Sequence, residues 1–292
     1  MNALVNRQMI KREQGFRLYS MCNEEIELVI VPELGARIVS LKNLRTGREW
    51  LWCPRSGLKL FGNHWGEDFS RSPLAGIDEC FPTIAPCVWD GRSLPDHGEL
   101  WNTAWHVDDA AWQIGMLTTS VCSAISPFRF ERTVQLENTE VRLNYRLSNM
   151  SDNAERFLWA LHPLLRLQPG DQLQLPDSSR AKFNGTTWID AVDVAIPDTL
   201  CAKNVVWPVC EGWAAIQNST TGDALEFSWN PEQNPALGLW LTRGGWHGHH
   251  HFAIEPANGD HDSLAVAAGK DRCGTIAPRD TIGWEVTLSV KS

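Results

Sequence analysis

Short apolar segments separated by turn residues run along most of this chain, and they constrain its fold more than any other feature. Several are rich in Val, Ile and aromatic residues, which favour β-strands. Residues 141–147 alternate apolar and polar side chains strictly, as expected for a strand with one buried and one solvated face. Because no segment keeps an apolar stripe at helical spacing, we expect helices to be few and short.

The predicted strands share short length and flanking turns that contain Gly, Pro or Asn. They cover residues 26–31, 37–41, 49–52, 111–123, 130–136, 141–147, 156–162, 213–217, 224–229, 237–242, 250–255 and 284–290. Many strands at short spacing are typical of an antiparallel sandwich, and the chain has neither a linker nor a fixed-period repeat. We therefore predict an all-β fold in which residues 1–292 form a single domain, one large antiparallel β-sandwich with few short helices.

From about residue 54 to residue 101 the periodic signal disappears, and Gly and Pro are dense. A loop region of this length is more often functional than incidental. Within it, the acidic pair Asp78 and Glu79 precedes a second polar group that contains His97, and Trp101 follows. Acids, an imidazole and aromatic faces are the side chains that a carbohydrate site needs, so we predict that this region forms part of one.

Charge and cysteine usage limit the partners and the compartment. The 26 basic and 35 acidic residues give a net charge of −9, whereas nucleic acids and anionic membranes bind basic surfaces. No apolar run approaches the roughly 20 residues of a membrane helix, and the polar start lacks the apolar core of a secretory signal. The eight cysteines include no C-x-x-C pair, so we expect reduced thiols in a cytoplasmic protein.

Two titratable residues stand at the ends of apolar strands, each directly before a proline. His162 ends one predicted strand and Glu255 ends another. Groups in such positions tend to line a cleft, because a buried strand cannot solvate them. When each residue is considered alone, the alternative is that His162 is a hydrogen-bonded histidine of the core and that Glu255 is a carboxylate at a sheet edge.

Five short motifs follow one another along almost the whole chain. They are GARIVSL at 35–41, LAGIDECFP at 74–82, HGELW at 97–101, LHP at 161–163 and IEP at 254–256. With these motifs in this order, the chain resembles the galactose mutarotase-like superfamily, the aldose 1-epimerases. The nearest branch is the one that includes the hexose-6-phosphate mutarotases.

The resemblance implies a supersandwich with a sugar site on one sheet, and an enzyme that interconverts the α and β anomers of a monosaccharide without a metal or organic cofactor. It also implies that His97, His162 and Glu255 are the catalytic residues. Ring opening needs a base that takes the O1 proton and an acid that protonates the ring oxygen. We assign Glu255 as the base, His162 as the acid and His97 as the group that supports the charge shift.

Sugar selection is assigned to other residues. Arg71, Asp78, Glu79 and Trp101 are expected to contact the substrate at the rim, and an acidic pair there would repel a phosphate unless Arg71 or Lys59 offsets it. The histidine run 247–251 permits a zinc interpretation, but no Cys or carboxylate lies nearby at ligand spacing. We expect His250 to line the sugar cleft instead, with no metal. Asp190 and Asp198 are candidates for an aspartate that holds sugar hydroxyls.

Two alternatives to a mutarotase remain. A non-catalytic carbohydrate-binding protein could keep the same sandwich and cleft, because a fold does not define a function. A lyase or glycoside hydrolase domain would need a well-placed Tyr or a carboxylate pair. The expected partner is a monosaccharide bound to a monomer or homodimer, with no nucleic acid and no membrane.

Overall fold

The computed structural model of the chain describes residues 7–62, 64–72, 74–180 and 199–292. Strands dominate this part of the chain. They are β1 Arg7–Glu13, β2 Phe16–Cys22, β3 Ile26–Val31, β4 Arg37–Asn43, β5 Ile77–Cys80, β6 Cys87–Trp89, β7 Arg92–Leu94, β8 His106–Val107, β9 Leu117–Cys122, β10 Phe128–Glu137, β11 Glu140–Asn149, β12 Glu155–Phe157, β13 Ala160–Pro163, β14 Asp171–Gln174, β15 Leu200–Val206, β16 Trp213–Asn218, β17 Ala224–Trp229, β18 Ala236–Arg243, β19 His250–Ala257, β20 Gly274–Ile276 and β21 Thr281–Lys291.

The helices of the described residues are short. They are α1 Asp109–Gln113, α2 Asp177–Arg180, α3 Leu264–Gly269 and a single 3-10 turn at Phe69–Arg71. Within the described ranges, no helix has the length and apolar composition needed to span a bilayer.

Two large antiparallel sheets form the molecule. The first has nine strands in the order β1-β2-β3-β4-β5-β13-β19-β18-β15, and the second has eight in the order β14-β16-β17-β21-β11-β10-β9-β8. Two small two-stranded sheets, β12 with β20 and β6 with β7, lie outside them. The prediction of a large antiparallel β-sandwich with few short helices is confirmed.

The main core lies between the two sheets. Strand β11 shows why its sequence forms this layer, because Val141, Leu143, Tyr145 and Leu147 are buried while the residues between them are partly exposed. Their partners across the interior include Ile38 of the nine-stranded sheet. Burial of each large apolar side chain contributes about 1.5–3 kcal/mol, so strict alternation fixes which face of each strand turns inward.

One correction concerns the stretch that was predicted to be loop. Strand β5 lies inside it and occupies a central place in the nine-stranded sheet, between β4 and β13. All four of its residues are buried, and two of them are acidic. A strand this short with an Asp-Glu pair has neither alternation nor β-branched content beyond Ile77, so its sequence gives no strand signal.

Three smaller corrections follow from local sequence. Residues 49–52 make only isolated bridges, Lys42 with Glu49 and Leu51 with Leu165, instead of a strand. Residues 111–123 begin in helix α1, because the side chain of Asp108 caps that helix by accepting hydrogen bonds from the backbone N–H groups of the first turn. The predicted strand 156–162 is divided between β12 and β13.

Candidate active site

A cleft of about 350 Å³ opens on the outer face of the nine-stranded sheet. Its polar lining includes His97, His162, Lys203, His251, Glu255 and Asp262. Strand alternation explains why His162 and Glu255 face this way, because the neighbouring Leu161 and Ile254 are buried in the core between the sheets. The three predicted catalytic residues therefore lie in one cleft.

His162 and Glu255 face each other across adjacent strands. Strands β13 and β19 pair with Ala160 opposite Ala257, and continuing this antiparallel register puts His162 opposite Glu255. The Nε2 atom of His162 lies 3.8 Å from Oε1 of Glu255. A register set by backbone hydrogen bonds thus holds an imidazole and a carboxylate side by side.

Burial shifts the pKa values of this pair in opposite directions. It raises the pKa of Glu255 above its usual range, and Lys203 opposes that rise. It lowers the pKa of His162 well below its usual range, and the nearby positive charges of His97 and Lys203 act in the same direction. Desolvation penalises the charged form of each group, which is why a buried acid and a buried base shift in opposite directions.

Gly238 leaves room for the Glu255 carboxylate. It lies on β18 directly opposite Glu255 in the strand register. A Cβ atom at this position would lie 2.5 Å from Oε2 of Glu255, well inside van der Waals contact. The carboxylate therefore rests against a bare backbone, and the role of this glycine is to leave space, since its φ angle is not positive.

Lys203 is a cleft residue that the sequence did not reveal. It lies on β15, and its Nζ atom is 2.6 Å from Oδ1 of Asp262. Burial works against its charge, but Glu255 and Asp262 outweigh that effect and raise the pKa of Lys203. Only the pairing of β15 with β18 brings it to the cleft, opposite Trp240, so no local motif marks it.

His97 enters the cleft from the segment that follows β7. Its Nδ1 atom donates to Oδ1 of Asp96 at 2.9 Å, and its ring stacks on Phe69 with centroids 4.1 Å apart. Burial opposes ionisation of Asp96, but the side chain of His97 and the backbone N–H groups of Phe69 and His97 together outweigh it and lower the pKa of Asp96. Gly98 makes this turn possible, because its φ is 77° and a Cβ there would overlap the carbonyl oxygen of Phe81.

The structure places His251 in the cleft, and not the predicted His250. On a strand, residues two and four apart share a face, so His251 shares the face of Glu255 while His250 points the other way. Burial lowers the pKa of His251 to about 3, with nearby His249 adding to the shift, so its ring is neutral at ordinary pH. The correct parity was available from the sequence.

The acidic pair of β5 does not form a rim. Glu79 is fully buried between the sheets, so its prediction as a sugar contact at the rim is wrong. It accepts hydrogen bonds from Arg132 at 2.8 Å, Tyr145 at 3.0 Å and Trp159 at 2.7 Å. Asp78 is also buried, on the cleft side of the sheet, and Arg37 lies 2.6 Å from it. Burial raises the pKa of Asp78 to about 6, against the opposing charge of Arg37.

Arg71 and Trp101 lie beside the cleft and outside its lining. The Arg71 side chain is largely exposed and lies 3.2 Å from Glu67. Trp101 is buried, and its indole N–H donates to the backbone oxygen of Asp96 at 2.9 Å. It therefore supports the segment that carries His97. Asp190 and Asp198 lie outside the described residues.

Potential metal ligands in the described ranges gather at a different place from the histidine run. The rings of His249 and His251 pack against Trp52 with centroids 5.0 and 4.8 Å away, which is an aromatic contact. Cys80, His97 and His162 instead offer ligand atoms that all lie within 4.8 Å of one another.

An antiparallel supersandwich with this cleft on its larger sheet defines the class of galactose mutarotase-like proteins. The chain belongs to the aldose 1-epimerase family, because the family model described as "Aldose 1-epimerase" matches residues 17–199. This range includes His97 and His162 but ends before Glu255. The predicted place in the hexose-6-phosphate branch stays a prediction.

Solved structures with the same fold come from several bacteria. A galactose mutarotase-like protein from Clostridium acetobutylicum superposes with a TM-score of 0.72 at 14% identity over 100% of both chains. The Slr1438 protein from Synechocystis sp. PCC 6803 gives 0.69 at 17% identity, covering 99% of this chain and 96% of its own. A galactose mutarotase related enzyme from Lactobacillus acidophilus gives 0.65 at 17% identity, covering 94% and 97%. No curated protein matches the sequence.

Proposed function

We propose that the chain is a mutarotase of the aldose 1-epimerase type, which interconverts the α and β anomers of a monosaccharide by acid/base ring opening. The observation that carries this proposal is the opposed pair His162 and Glu255, 3.8 Å apart in one cleft. General acid/base catalysis needs an acid and a base that both reach the reacting atoms of the substrate.

Glu255 acts as the base on the O1 hydroxyl, and His162 delivers a proton to the ring oxygen. The C1–O1 bond becomes a carbonyl while the bond from C1 to the ring oxygen breaks. Rotation about C1–C2 then presents the other face of the carbonyl. Ring closure runs the same steps backwards, with protonated Glu255 as the acid and neutral His162 as the base.

The pair holds one proton throughout this cycle. Opening moves it from His162 to Glu255, by way of the sugar, and closing returns it. Burial raises the pKa of Glu255 and lowers that of His162, so it favours the form with the proton on Glu255 more than water would. Neither direction of the reaction then requires a proton from solvent.

His97 is proposed to hydrogen-bond the sugar near O1 or the ring oxygen. Its Nδ1 atom is taken by Asp96, so Nε2 is the atom available to the substrate. The ring of His97 lies 5.1 Å from that of His162, centroid to centroid. Asp96 can therefore stabilise positive charge that develops on His97 as the proton moves.

The cleft volume and its aromatic walls suit one monosaccharide. Its volume of about 350 Å³ lies at the lower end of the range for small-ligand sites, which is about 300–1,000 Å³. Phe69, Trp240 and Trp246 line it and can contact the apolar C–H faces of a sugar ring. These features support a single monosaccharide, free or modified, as the substrate.

Exchange NMR tests the proposal. Saturation transfer between the α and β anomeric protons should show faster exchange with the wild-type protein for at least one aldose in a panel. His162→Asn, checked for its fold by circular dichroism, should lose that acceleration. Binding of a sugar without faster exchange would instead support the non-catalytic carbohydrate-binding alternative.

A further inference from the structure

Cys80 lies beside His97 and His162, just outside the lining of the cleft, and the proposed mutarotase chemistry does not use it. It is the last residue of β5 and pairs with Ala160 of β13, which places it diagonally from His162 on the cleft side of the sheet. It is almost fully buried. Its sulfur and one ring nitrogen each of His97 and His162 lie within 4.8 Å of one another.

This donor set is that of a zinc site. One thiolate and two imidazoles bind Zn²⁺ at about 2.0–2.3 Å, which puts tetrahedral ligand atoms about 3.3–3.8 Å apart. The three atoms must therefore approach by about 1 Å, within reach of imidazole rotation. With three protein ligands, the fourth position is left to water.

The surroundings also match a metal site. A histidine that binds zinc usually donates its other N–H to a carboxylate, which fixes the ring and the tautomer. Asp96 accepts that hydrogen bond from His97 at 2.9 Å. The Nδ1 atom of His162 is buried and has no hydrogen-bond partner among the described residues. A buried polar atom without a hydrogen-bond partner costs free energy, and binding a metal ion would remove that cost.

We propose that Cys80, His97 and His162 bind a zinc ion reversibly, and that the bound ion inhibits the enzyme. Binding displaces the thiol proton of Cys80 to solvent, and no redox change is involved. The inhibition rests on the proposed function, because a zinc-bound imidazole cannot take up the proton that His162 must deliver to the ring oxygen. The zinc binding itself does not.

Metal binding can be measured without any sugar. Protein freed of metal with EDTA is titrated with Zn²⁺ against a chromophoric chelator, and with Co²⁺ to observe the near-ultraviolet band of a thiolate–cobalt bond. We expect one equivalent to bind, and Cys80→Ala to weaken binding by tenfold or more and to abolish the cobalt band. Cys80→Ser, which keeps the side-chain shape, should behave like Cys80→Ala, and removal of the exposed thiol in Cys201→Ala should change nothing.

Activity then separates the two proposals. In EDTA, Cys80→Ala should exchange anomers at the wild-type rate, and added Zn²⁺ should inhibit the wild type but not this variant. Equal zinc affinity in the wild type and Cys80→Ala, with the ion bound elsewhere such as the 247–251 histidines, would overturn the site. Cys80-dependent binding in a protein that accelerates no anomer exchange would retain the site and overturn the proposed function.

Discussion

At the scale of single residues, the proton transfer proposed for His162 and Glu255 depends on where the carboxylate lies. Gly238 leaves room for that position, because a Cβ there would lie 2.5 Å from Oε2 of Glu255. Lys203 favours the ionised form of that carboxylate, since its charge is the largest effect that opposes the rise in the Glu255 pKa. Both residues act through Glu255, so each is a positioning residue.

Gly238→Ala should lower kcat with little change in KM. The added methyl group would displace the carboxylate, and misplacement of a reacting group by about 1 Å can cost about 100-fold in rate. Anomer exchange rates at several sugar concentrations give both constants. Gly62→Ala is the matched control, because a Cβ at that position meets open space. A Gly238→Ala enzyme with wild-type kcat would show that Glu255 needs no such room.

Lys203→Met should move the acid limb of the pH profile of kcat/KM to higher pH. Lys203 lowers the pKa of Glu255, so its removal raises that pKa further. Glu255 must be ionised to take the O1 proton, and activity is lost as pH falls through its pKa. Lys203→Arg keeps the charge and should keep the limb in place. If the acid limb of the pH profile does not move in Lys203→Met, Lys203 does not control the pKa of Glu255.

At the scale of elements, strand β5 places its two acidic residues on opposite faces of the sheet. Alternation sends Asp78 to the cleft side with Arg37, and Glu79 to the core. Through Glu79, the nine-stranded sheet is tied to Arg132 of β10 and to Tyr145 of β11 in the other sheet. The same alternation on β19 separates His251 from His250. The face of a strand, more than the residue type, decides which polar groups reach the cleft.

Glu79→Gln should destabilise the fold by about 3–5 kcal/mol, because it leaves the guanidinium of Arg132 buried without its carboxylate. Urea denaturation followed by tryptophan fluorescence measures the loss. Glu226→Gln is the comparison variant, since it breaks an exposed ion pair with Lys291, for which about 0–1 kcal/mol is expected. A loss of similar size in both variants would mean that the link between the sheets contributes little.

At the scale of the whole molecule, the cleft combines strands that are far apart in the chain. His162, Lys203 and Glu255 come from β13, β15 and β19, which the sheet order brings together. Many of the strands could be predicted, because alternating apolar and polar residues, as in 141–147, reflect which side chains of a strand are buried. His97, His162 and Glu255 could be predicted from short motifs that follow one another in a family order.

The remaining features depend on tertiary pairing. Lys203 reaches the cleft only through the register of β15 with β18, and nothing around it in the sequence marks that position. Strand β5 is stabilised by its neighbours on both sides, so four residues with two acids suffice. The burial of Glu79 depends on Arg132, 53 residues away along the chain. Local patterns carry no information about such partners.

The central claim is that Glu255 moves the O1 proton of a sugar, and one comparison tests it most directly. α/β exchange of an aldose that the wild type accelerates is measured by saturation-transfer NMR for wild type and Glu255→Gln, with folding checked by thermal denaturation. The amide keeps the shape of the carboxylate but cannot accept a proton, so the exchange rate should fall by about 100- to 10,000-fold while sugar binding persists. Equal exchange rates in a folded Glu255→Gln variant would contradict the account.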